Sequence, residues 1–409
     1  MKKFTLKTYN SYIDFSNEEL KKRSANLIKR IKIKDVKNFE IFNFHDLASN
    51  FNEQILQYLY DFTSMIYEQK IETLIVFAND KTKNNFLSSH NFLTKNSLDS
   101  KNKIEIIFIS ESETSLVLNE KLQYIKTIMK KKNIGLLFSD FKKNNNDFLN
   151  FAKHLINILQ INYGYYNFKK NIFIIGKEKY ENQFSFLNIP EKNVLIIPNI
   201  LPNDFSFFSE INLFLLLIDN VNIEEVLEGY RQGSQEWLNA KLDKNLAFQY
   251  AYIVNHLISK NEKNIIVNAT NQQYLKHSLK TLSENRNLLY RGTIFSLDFY
   301  YPNDFFTYGQ HLIENNSNLI LTNFIVENES LDYKISDDII NDDNLKELWS
   351  VNLSTINEKS TEITNDILVN IGNNCMFKIV LEDNSNISLG IFISFIYWSF
   401  IFEKFLIEN

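Results

Sequence analysis

The sequence predicts an α/β protein with two doubly wound parallel sheets covered by helices. Short runs at residues 73–77 and 134–138 are apolar on both faces, which is typical of parallel strands buried between helical layers. Amphipathic stretches with helical periodicity alternate with such runs. This alternation occurs in both halves of the chain, on either side of the segment 199–233, which contains Pro202, Gly229 and Gly233.

The chain length and composition indicate a globular protein with two domains. The 409 residues contain 44% hydrophobic residues and carry a net charge of −5. We predict that residues 1–198 form N-terminal helices and a first doubly wound domain, and that residues 199–409 form a second one with a long C-terminal apolar helix. The negative net charge gives no general attraction to nucleic acid or to an anionic membrane.

The single cysteine and the charged N-terminus indicate a cytoplasmic protein. Cys375 has no second cysteine to pair with, so an internal disulfide framework is excluded. The first residues lack the apolar core of a secretion signal. No spacing of histidine and cysteine suggests a metal site, and no motif suggests a cofactor, so we predict neither.

Glycine is scarce. Nine glycines in 409 residues are roughly 2%, against a usual share of about 7%. Loops that bind phosphate through backbone amides need glycine for close approach and for positive φ angles. The chain therefore has few positions for such loops.

The most apolar segment covers residues 389–402. It is 14 residues long before Glu403 and Lys404, whereas a membrane-spanning helix needs about 20. We predict a buried helix, with membrane attachment as the minor alternative.

The individual elements follow from periodicity and from the few breakers. Residues 1–45 are predicted to form N-terminal helices. Asn222 can cap a helix whose first turn holds Glu224 and Glu225, and Gly229 is predicted to end that helix. The other predicted helices cover 51–69, 116–130, 147–159, 246–257 and 274–282, and the other predicted strands cover 104–110, 172–175, 264–267 and 377–382.

The central segment carries the clearest resemblance to a known family. Phe205-Ser206, the apolar run 213–218 and the sequence IEEVLEG at residues 223–229 resemble a signature of glucose-6-phosphate isomerases. That family reads Gly-Gly-Arg-Phe-Ser, a long apolar helix, and then Ile-Asp-Ile-Glu-Glu-Leu-Leu-Glu-Gly. Shorter matches are Asp46-Leu47, Gly309-Gln310 and Leu389-Gly390. The resemblance implies two sugar isomerase (SIS) domains, the interconversion of glucose 6-phosphate and fructose 6-phosphate, and a homodimer.

The positions at which the family binds phosphate are changed. Residues 77–81 stand where the family has Gly-Ile-Gly-Gly-Ser, and Asp80 would place a negative charge beside the phosphate. Lys81 could bind phosphate as a point charge, although a solvated turn is the more usual role for such a residue. Ser139 matches the start of the family's Ser-Lys-Ser-Gly-Thr-Thr-Thr-Glu loop, and Lys142 in the following Lys/Asn run could attract an anion or simply be solvated.

The positions that carry the family's proton transfer are changed as well. Glu284 is the best match for the family's base, but it needs a one-residue gap and lacks the flanking glycines. Phe306 stands at the ring-opening histidine, and phenylalanine cannot transfer a proton. Gly309-Gln310 matches the family and fixes the alignment of this segment. Glu314 matches a glutamate of the family, and in this chain it is either an exposed helix residue or part of the pocket wall. The family's further segment with a site lysine is not found after the apolar helix.

These contrasts lead to two functional hypotheses. The first is a phosphoglucose isomerase-like protein that has lost catalysis and serves as a structural or regulatory subunit that binds another protein. The second is an active isomerase with Glu284 as base and with Lys81 or Lys142 holding the phosphate. A sugar-phosphate sensor without turnover is a third option. Nucleic acid is not expected as a partner, and neither is a membrane.

Overall fold

The structure is a computed structural model of the chain. It describes residues 4–11, 13–36, 42–51, 53–93, 104–139, 146–164, 166–176, 187–197, 203–260, 263–290, 292–314, 318–336, 348 and 350–408. Within these ranges the chain divides into two compact units. The N-terminal unit consists of Glu40–His90 and Ser97–Ile223, and the C-terminal unit consists of Met1–Phe39, Asn91–Asn96 and Glu224–Asn409.

The described elements alternate between strands and helices for most of the chain. The strands are β1 (Phe4–Tyr9), β2 (Thr73–Ala78), β3 (Glu105–Ser110), β4 (Ile134–Ser139), β5 (Ile172–Gly176), β6 (Val194–Ile196), β7 (Ile265–Thr270), β8 (Phe295–Tyr300), β9 (Leu319–Asn328) and β10 (Cys375–Asp383). The helices are α1 (Glu18–Lys32), α2 (Asn43–Ser49), α3 (Glu53–Glu68), α4 (Asp80–Phe92), α5 (Ser115–Ile128), α6 (Asn146–Tyr163), α7 (Glu210–Ile218), α8 (Ile223–Trp237), α9 (Leu246–Ser259), α10 (Lys276–Tyr290), α11 (Asn303–Glu314), α12 (Leu353–Asp366) and α13 (Asn386–Glu408).

The N-terminal unit contains a parallel sheet with the strand order β3-β2-β4-β5-β6. Strands β2 and β4 are buried along their whole length, as the apolar runs predicted. The chain passes from β2 to β3 on one side and then returns to β4 on the other. The carboxyl ends of β2 and β4 therefore form the switch point at which ligands bind in open α/β sheets.

The C-terminal unit repeats this arrangement. Its sheet has the order β1-β10-β9-β7-β8, so β8-β7-β9-β10 corresponds to β3-β2-β4-β5 of the N-terminal unit. These four strands are parallel, and their switch point lies between the carboxyl ends of β7 and β9. The predicted pair of doubly wound α/β sheets is confirmed.

The prediction of helices for residues 1–45 is wrong at the start of the chain. Residues 4–9 form β1, which pairs antiparallel with β10 at the edge of the C-terminal sheet. The sequence FTLKTY alternates polar and apolar residues, which suits a strand with one exposed face. Helix α1 is present as expected, and the side chain of Asn17 caps it by accepting hydrogen bonds from the amides of Glu19 and Leu20.

The helix predicted to end at Gly229 continues through Gly229 and Gly233 to Trp237. A Cβ atom on Gly229 would collide with the backbone carbonyl of Ile387, and one on Gly390 would collide with the carbonyl of Val226. These glycines therefore allow α8 and α13 to cross with their backbones in close contact. Position 229 requires glycine because α13 packs so closely against α8 that no side chain fits there.

Helix α13 is the centre of the C-terminal core, and the prediction of a buried helix is confirmed. Among the described residues, its segment Asn386–Ile407 is long and apolar enough to cross a membrane, yet 89% of the most apolar window is buried inside the protein. Two tryptophans fasten it to α8. Trp237 Nε1 donates to Ser394 Oγ at 2.9 Å, and Trp398 Nε1 donates to Ser234 Oγ at 3.1 Å.

The division into units differs from the predicted boundary after residue 198. Helix α7, with every residue from Glu210 to Ile218 buried, belongs to the N-terminal unit. It packs on α3 there, where the rings of Phe62 and Phe214 meet edge to face with centroids 5.3 Å apart. Strand β1 belongs to the C-terminal unit because it completes the edge of that sheet.

Candidate functional site

The switch point of the N-terminal unit is the place where the resemblance puts a phosphate. Helix α4 begins at Asp80, directly after β2, and its N-terminus faces the carboxyl edge of the sheet. Asn79 Oδ1 accepts a hydrogen bond from the amide of Thr82 at 2.8 Å. The Asn79 side chain thus accepts a hydrogen bond from one of the backbone amides that a helix N-terminus can offer to an anion.

Acidic and basic side chains both lie near the start of α4, and several of them pair with one another. Asp80 Oδ1 accepts a hydrogen bond from Ser112 Oγ at 2.7 Å. The carboxylate of Glu113, whose side chain is 6% exposed, pairs with Lys83 at 3.1 Å and also with Lys121. Lys81 lies in the first turn of α4, partly buried and with interactions of its own. One carboxylate therefore already binds two nearby ammonium groups.

Ser139 lies where the sequence predicted a phosphate ligand. It is the last residue of β4, it is 1% exposed, and its Oγ receives or donates no hydrogen bond among the described residues. It ends the strand next to β2, so Ser139 and the start of α4 lie at the same edge of the sheet. Lys142 lies outside the described residues.

The candidate base Glu284 lies on α10 in the C-terminal unit. Its side chain is 44% exposed, and its carboxylate is 4.0 Å from the ammonium group of Lys280, one turn away on the same helix. A general base must lie within hydrogen-bond reach of the proton that it removes. This environment is that of an ordinary surface residue in an i,i+4 ion pair.

Arg286 is a charged residue on the buried side of α10. It is fully buried and bonds Glu403 of α13 through Nη2 at 2.6 Å and through Nε at 3.3 Å. Its remaining hydrogen bonds reach Asn268 at 3.0 Å and the hydroxyl of Tyr250 at 2.9 Å. Tyr290 donates a third hydrogen bond to Glu403 at 3.2 Å. The polar groups of this buried network pair with one another, so its role is to join α10 to α13 and the sheet.

Helix α11 carries the other predicted positions. Phe306, at the histidine position of the resemblance, is 83% exposed. Gln310 Nε2 donates to Glu314 Oε1 at 2.9 Å, so these two predicted residues are neighbours on the exposed face of the helix. This contact is a local i,i+4 hydrogen bond of the kind that stabilises surface helices.

A cavity of about 350 Å³ lies at the switch point of the C-terminal unit. We name it the C-terminal cavity. Its wall is formed by the residues after β7 (Asn271–Tyr274), by the ends of β8 and β9, by β1 and β10, and by one face of α12. Glu284, Gln310 and Glu314 are not part of its wall. Sequence reasoning missed the cavity because its residues come from several separate segments.

Hydrogen bonds hold one end of the C-terminal cavity in place. The side chain of Gln272 makes two hydrogen bonds with the backbone of Val326 in β9. Its Nε2 donates to the Val326 carbonyl at 2.8 Å, and its Oε1 accepts from the Val326 amide at 2.7 Å. Glu329 accepts hydrogen bonds from Gln272 at 2.7 Å and from Tyr274 at 3.3 Å. Burial, and secondly the charge of Glu329, raise the pKa of Tyr274 and of Tyr300.

Metal ligands are not assembled in the described part of the chain. No group of three His, Cys, Asp or Glu residues there lies close enough to hold a metal ion.

Comparison with known proteins places these features in a family. The chain is 23% identical over 399 residues to a glucose-6-phosphate isomerase of Mycoplasmopsis pulmonis, covering 91% of this chain and 88% of that protein. It is 21% identical over 398 residues to the corresponding protein of Mycoplasmopsis synoviae, covering 95% and 89%. This similarity to glucose-6-phosphate isomerases extends over most of the chain at low identity, as expected for a divergent relative of these proteins. No family model matches the chain.

Solved structures agree with this assignment at the level of the fold. A glucose-6-phosphate isomerase from Chlamydia trachomatis superposes with a TM-score of 0.70, at 11% identity, over 98% of this chain and 84% of that one. A hypothetical protein from Thermus thermophilus superposes with a TM-score of 0.77, at 13% identity, over 98% and 94%. The capped α4 terminus and the half-exposed Glu284 lie at positions where the resemblance led us to expect phosphate binding and proton transfer.

Proposed function

We propose that this chain is a phosphoglucose isomerase-like protein that has lost isomerase catalysis and serves as a structural or regulatory protein-binding subunit. The observation that carries the proposal is the start of α4. Asn79 accepts the hydrogen bond of the Thr82 amide there, and the carboxylate of Asp80 follows at the position where the resemblance implies a phosphate. Bringing a sugar phosphate to this terminus would require breaking the cap and placing two negative groups together.

The environment of Glu284 supports the same proposal. Aldose–ketose isomerisation needs a positioned base within hydrogen-bond reach of the substrate carbon-bound proton, with a pKa suited to the task. Glu284 is half exposed and shares the surface of α10 with Lys280. Phe306 supplies no acid for ring opening, and losing a general acid or base costs about 10²–10⁴ in rate.

Exposed aromatic residues support a role in protein binding. Phe306 and Tyr308 on α11 are 83% and 54% exposed. Aromatic side chains are enriched in protein interfaces relative to the rest of the surface. A homodimer, a larger assembly and a cytoplasmic location remain predictions from the sequence and from the resemblance.

The alternative function is an active glucose-6-phosphate isomerase. The names of the relatives favour it, and Glu284 keeps a carboxylate near the family's base. In that case the phosphate site would be rebuilt around Ser139 and Lys81, and the cap of α4 would open when substrate binds.

A coupled assay with fructose 6-phosphate separates the two functions. We expect no turnover above the blank at high protein concentration, and no difference between the unmodified protein and Glu284→Gln. Turnover that disappears in Glu284→Gln while folding is unchanged by circular dichroism would overturn the proposal and establish an isomerase with Glu284 as its base.

A further inference from the structure

The C-terminal cavity is not used by the proposed function, yet it has the size and place of a ligand site. Its volume of about 350 Å³ lies at the lower end of the range for small-molecule sites, roughly 300–1,000 Å³. It lies where the connections of β7 and β9 diverge, which is the preferred ligand position in open α/β sheets. The apolar side chains of Ile325 and Val380 form part of its floor.

The charge of the cavity wall is negative. Among the described residues that line it, the carboxylates of Glu327, Glu329, Glu358 and Glu362 outnumber the ammonium groups of Lys7 and Lys378, which gives a formal charge of −2. The two lysines face each other across the β1–β10 pair, and Lys378 lies near enough to Glu362 of α12 to lower the pKa of that carboxyl, after its main partner Lys359. The wall therefore carries more negative than positive charge, and Glu329 is the carboxylate that lies beside Gln272 and Tyr274.

Several hydrogen-bond acceptors in or next to the wall of the C-terminal cavity have no donor among the described residues. Glu329 is partly buried, and both described hydrogen bonds to it reach Oε1, from the neutral donors Gln272 and Tyr274, so Oε2 can accept from a ligand in place of water. Asn271 Oδ1 is buried and accepts no described hydrogen bond. Asn323 is fully buried, lies on the same sheet face as Ile325, and donates to Asn365 of the wall, while its Oδ1 is also without a donor among the described residues. Unsatisfied buried acceptors favour a ligand that brings donors.

An anion does not suit the site. The first turn of α12 reaches the cavity at Ser354, but the amide of Ser354 donates to Asp332 Oδ1 at 3.1 Å. This helix terminus is therefore already capped by a carboxylate. A phosphate group would add to the negative charge of the wall at a terminus whose Ser354 amide is already taken.

We propose that the C-terminal cavity binds a small organic cation with a primary ammonium group, anchored by Glu329. The ammonium group has three donors and no acceptor. These donors match Glu329 Oε2 and the carboxamide oxygen of Asn271, and the alkyl part of the ligand packs on Ile325 and Val380. This inference does not depend on whether the chain is an isomerase.

Isothermal titration calorimetry with the full chain tests the site. The probe is 1,4-diaminobutane, compared with 1,4-butanediol of the same length and with glucose 6-phosphate. We expect saturable binding of the diamine alone, weakened by added salt. Glu329→Gln should weaken it about tenfold or more, because a charge-assisted hydrogen bond is lost.

The control variant is Glu224→Gln, which removes the same charge from an exposed position in the first turn of α8. It should leave the affinity for the diamine unchanged. The proposal is overturned if the diol binds as tightly as the diamine, if glucose 6-phosphate is the ligand that depends on Glu329, if the diamine does not bind at millimolar concentration, or if both variants bind it equally.

Discussion

At the scale of single residues, neighbours on α10 have very different environments. Glu284 is half exposed beside Lys280, whereas Arg286, two residues later, is fully buried against Glu403. A helix turns by about 100° per residue, so a shift of two residues moves a side chain from solvent to core. Asn285, one residue after Glu284, is also buried, so an alignment gap of one residue already decides between a surface carboxylate and a core position.

The buried ion pair gives a prediction about stability. Glu403→Ala leaves the guanidinium of Arg286 buried without a counter-charge, so we expect the free energy of unfolding to fall by about 3–5 kcal/mol. Urea denaturation followed by tryptophan fluorescence measures this change. Trp398 lies on the same helix and is fully buried, so it reports on this region.

Two control variants make this result specific. Glu284→Ala removes a carboxylate from the surface pair and should change stability by less than about 0.5 kcal/mol. The double variant Arg286→Met/Glu403→Leu replaces the pair with apolar groups and should recover most of the loss. Equal losses in Glu403→Ala and Glu284→Ala would contradict the assignment of the pair as a core element.

At the scale of elements, glycine has a different role from the one that local helix signals suggest. The sequence predicts a helix end at Gly229, whereas the helix continues through it to Trp237. In the structure Gly229, Gly233 and Gly390 lie where α8 crosses α13. The reason is a contact between two helices that are far apart in the sequence, and local helix signals carry no information about such a contact.

The helix crossing gives a second prediction about stability. Gly390→Ala would place a methyl group against the backbone of Val226 and Tyr230, and a backbone cannot move aside as a flexible side chain can. We expect the unfolding free energy to fall by about 3 kcal/mol, despite the higher helix propensity of alanine. Thermal denaturation followed by circular dichroism measures it.

The matched control is Gly309→Ala on α11, also inside a helix. Its new methyl group meets the ring of Phe305 at 2.9 Å, and this ring can rotate away. We expect a change within about 1 kcal/mol in either direction. If Gly390→Ala were as stable as Gly309→Ala, the close crossing of α8 and α13 would be wrong.

At the scale of the whole molecule, most strands were predicted because their burial is a local property of the sequence. Strands β2 and β4 are apolar at nearly every position. Strand β1 was missed because its partner β10 lies near the other end of the chain and its alternating pattern is weak. The C-terminal cavity was missed for a related reason, since Lys7, Asn271 and Glu329 meet only in the folded sheet.

The two doubly wound sheets have the same order of four parallel strands, although the residues at their switch points differ. Each sheet is stabilised by its own buried strands and helices, whereas a phosphate site depends on a few residues after β2 and β4. Having Asn79 and Asp80 at those positions leaves the core unaffected. The family's scaffold and its anion site are therefore separable.

Direct titration of fructose 6-phosphate into the protein, followed by calorimetry, tests the loss of the phosphate site most directly. The account predicts no saturable heat, because the Thr82 amide is capped by Asn79 and Asp80 lies beside it. Saturable binding that is abolished by Lys81→Ala and retained in Lys153→Ala, a lysine on α6, would contradict it and would locate a working phosphate site at the start of α4.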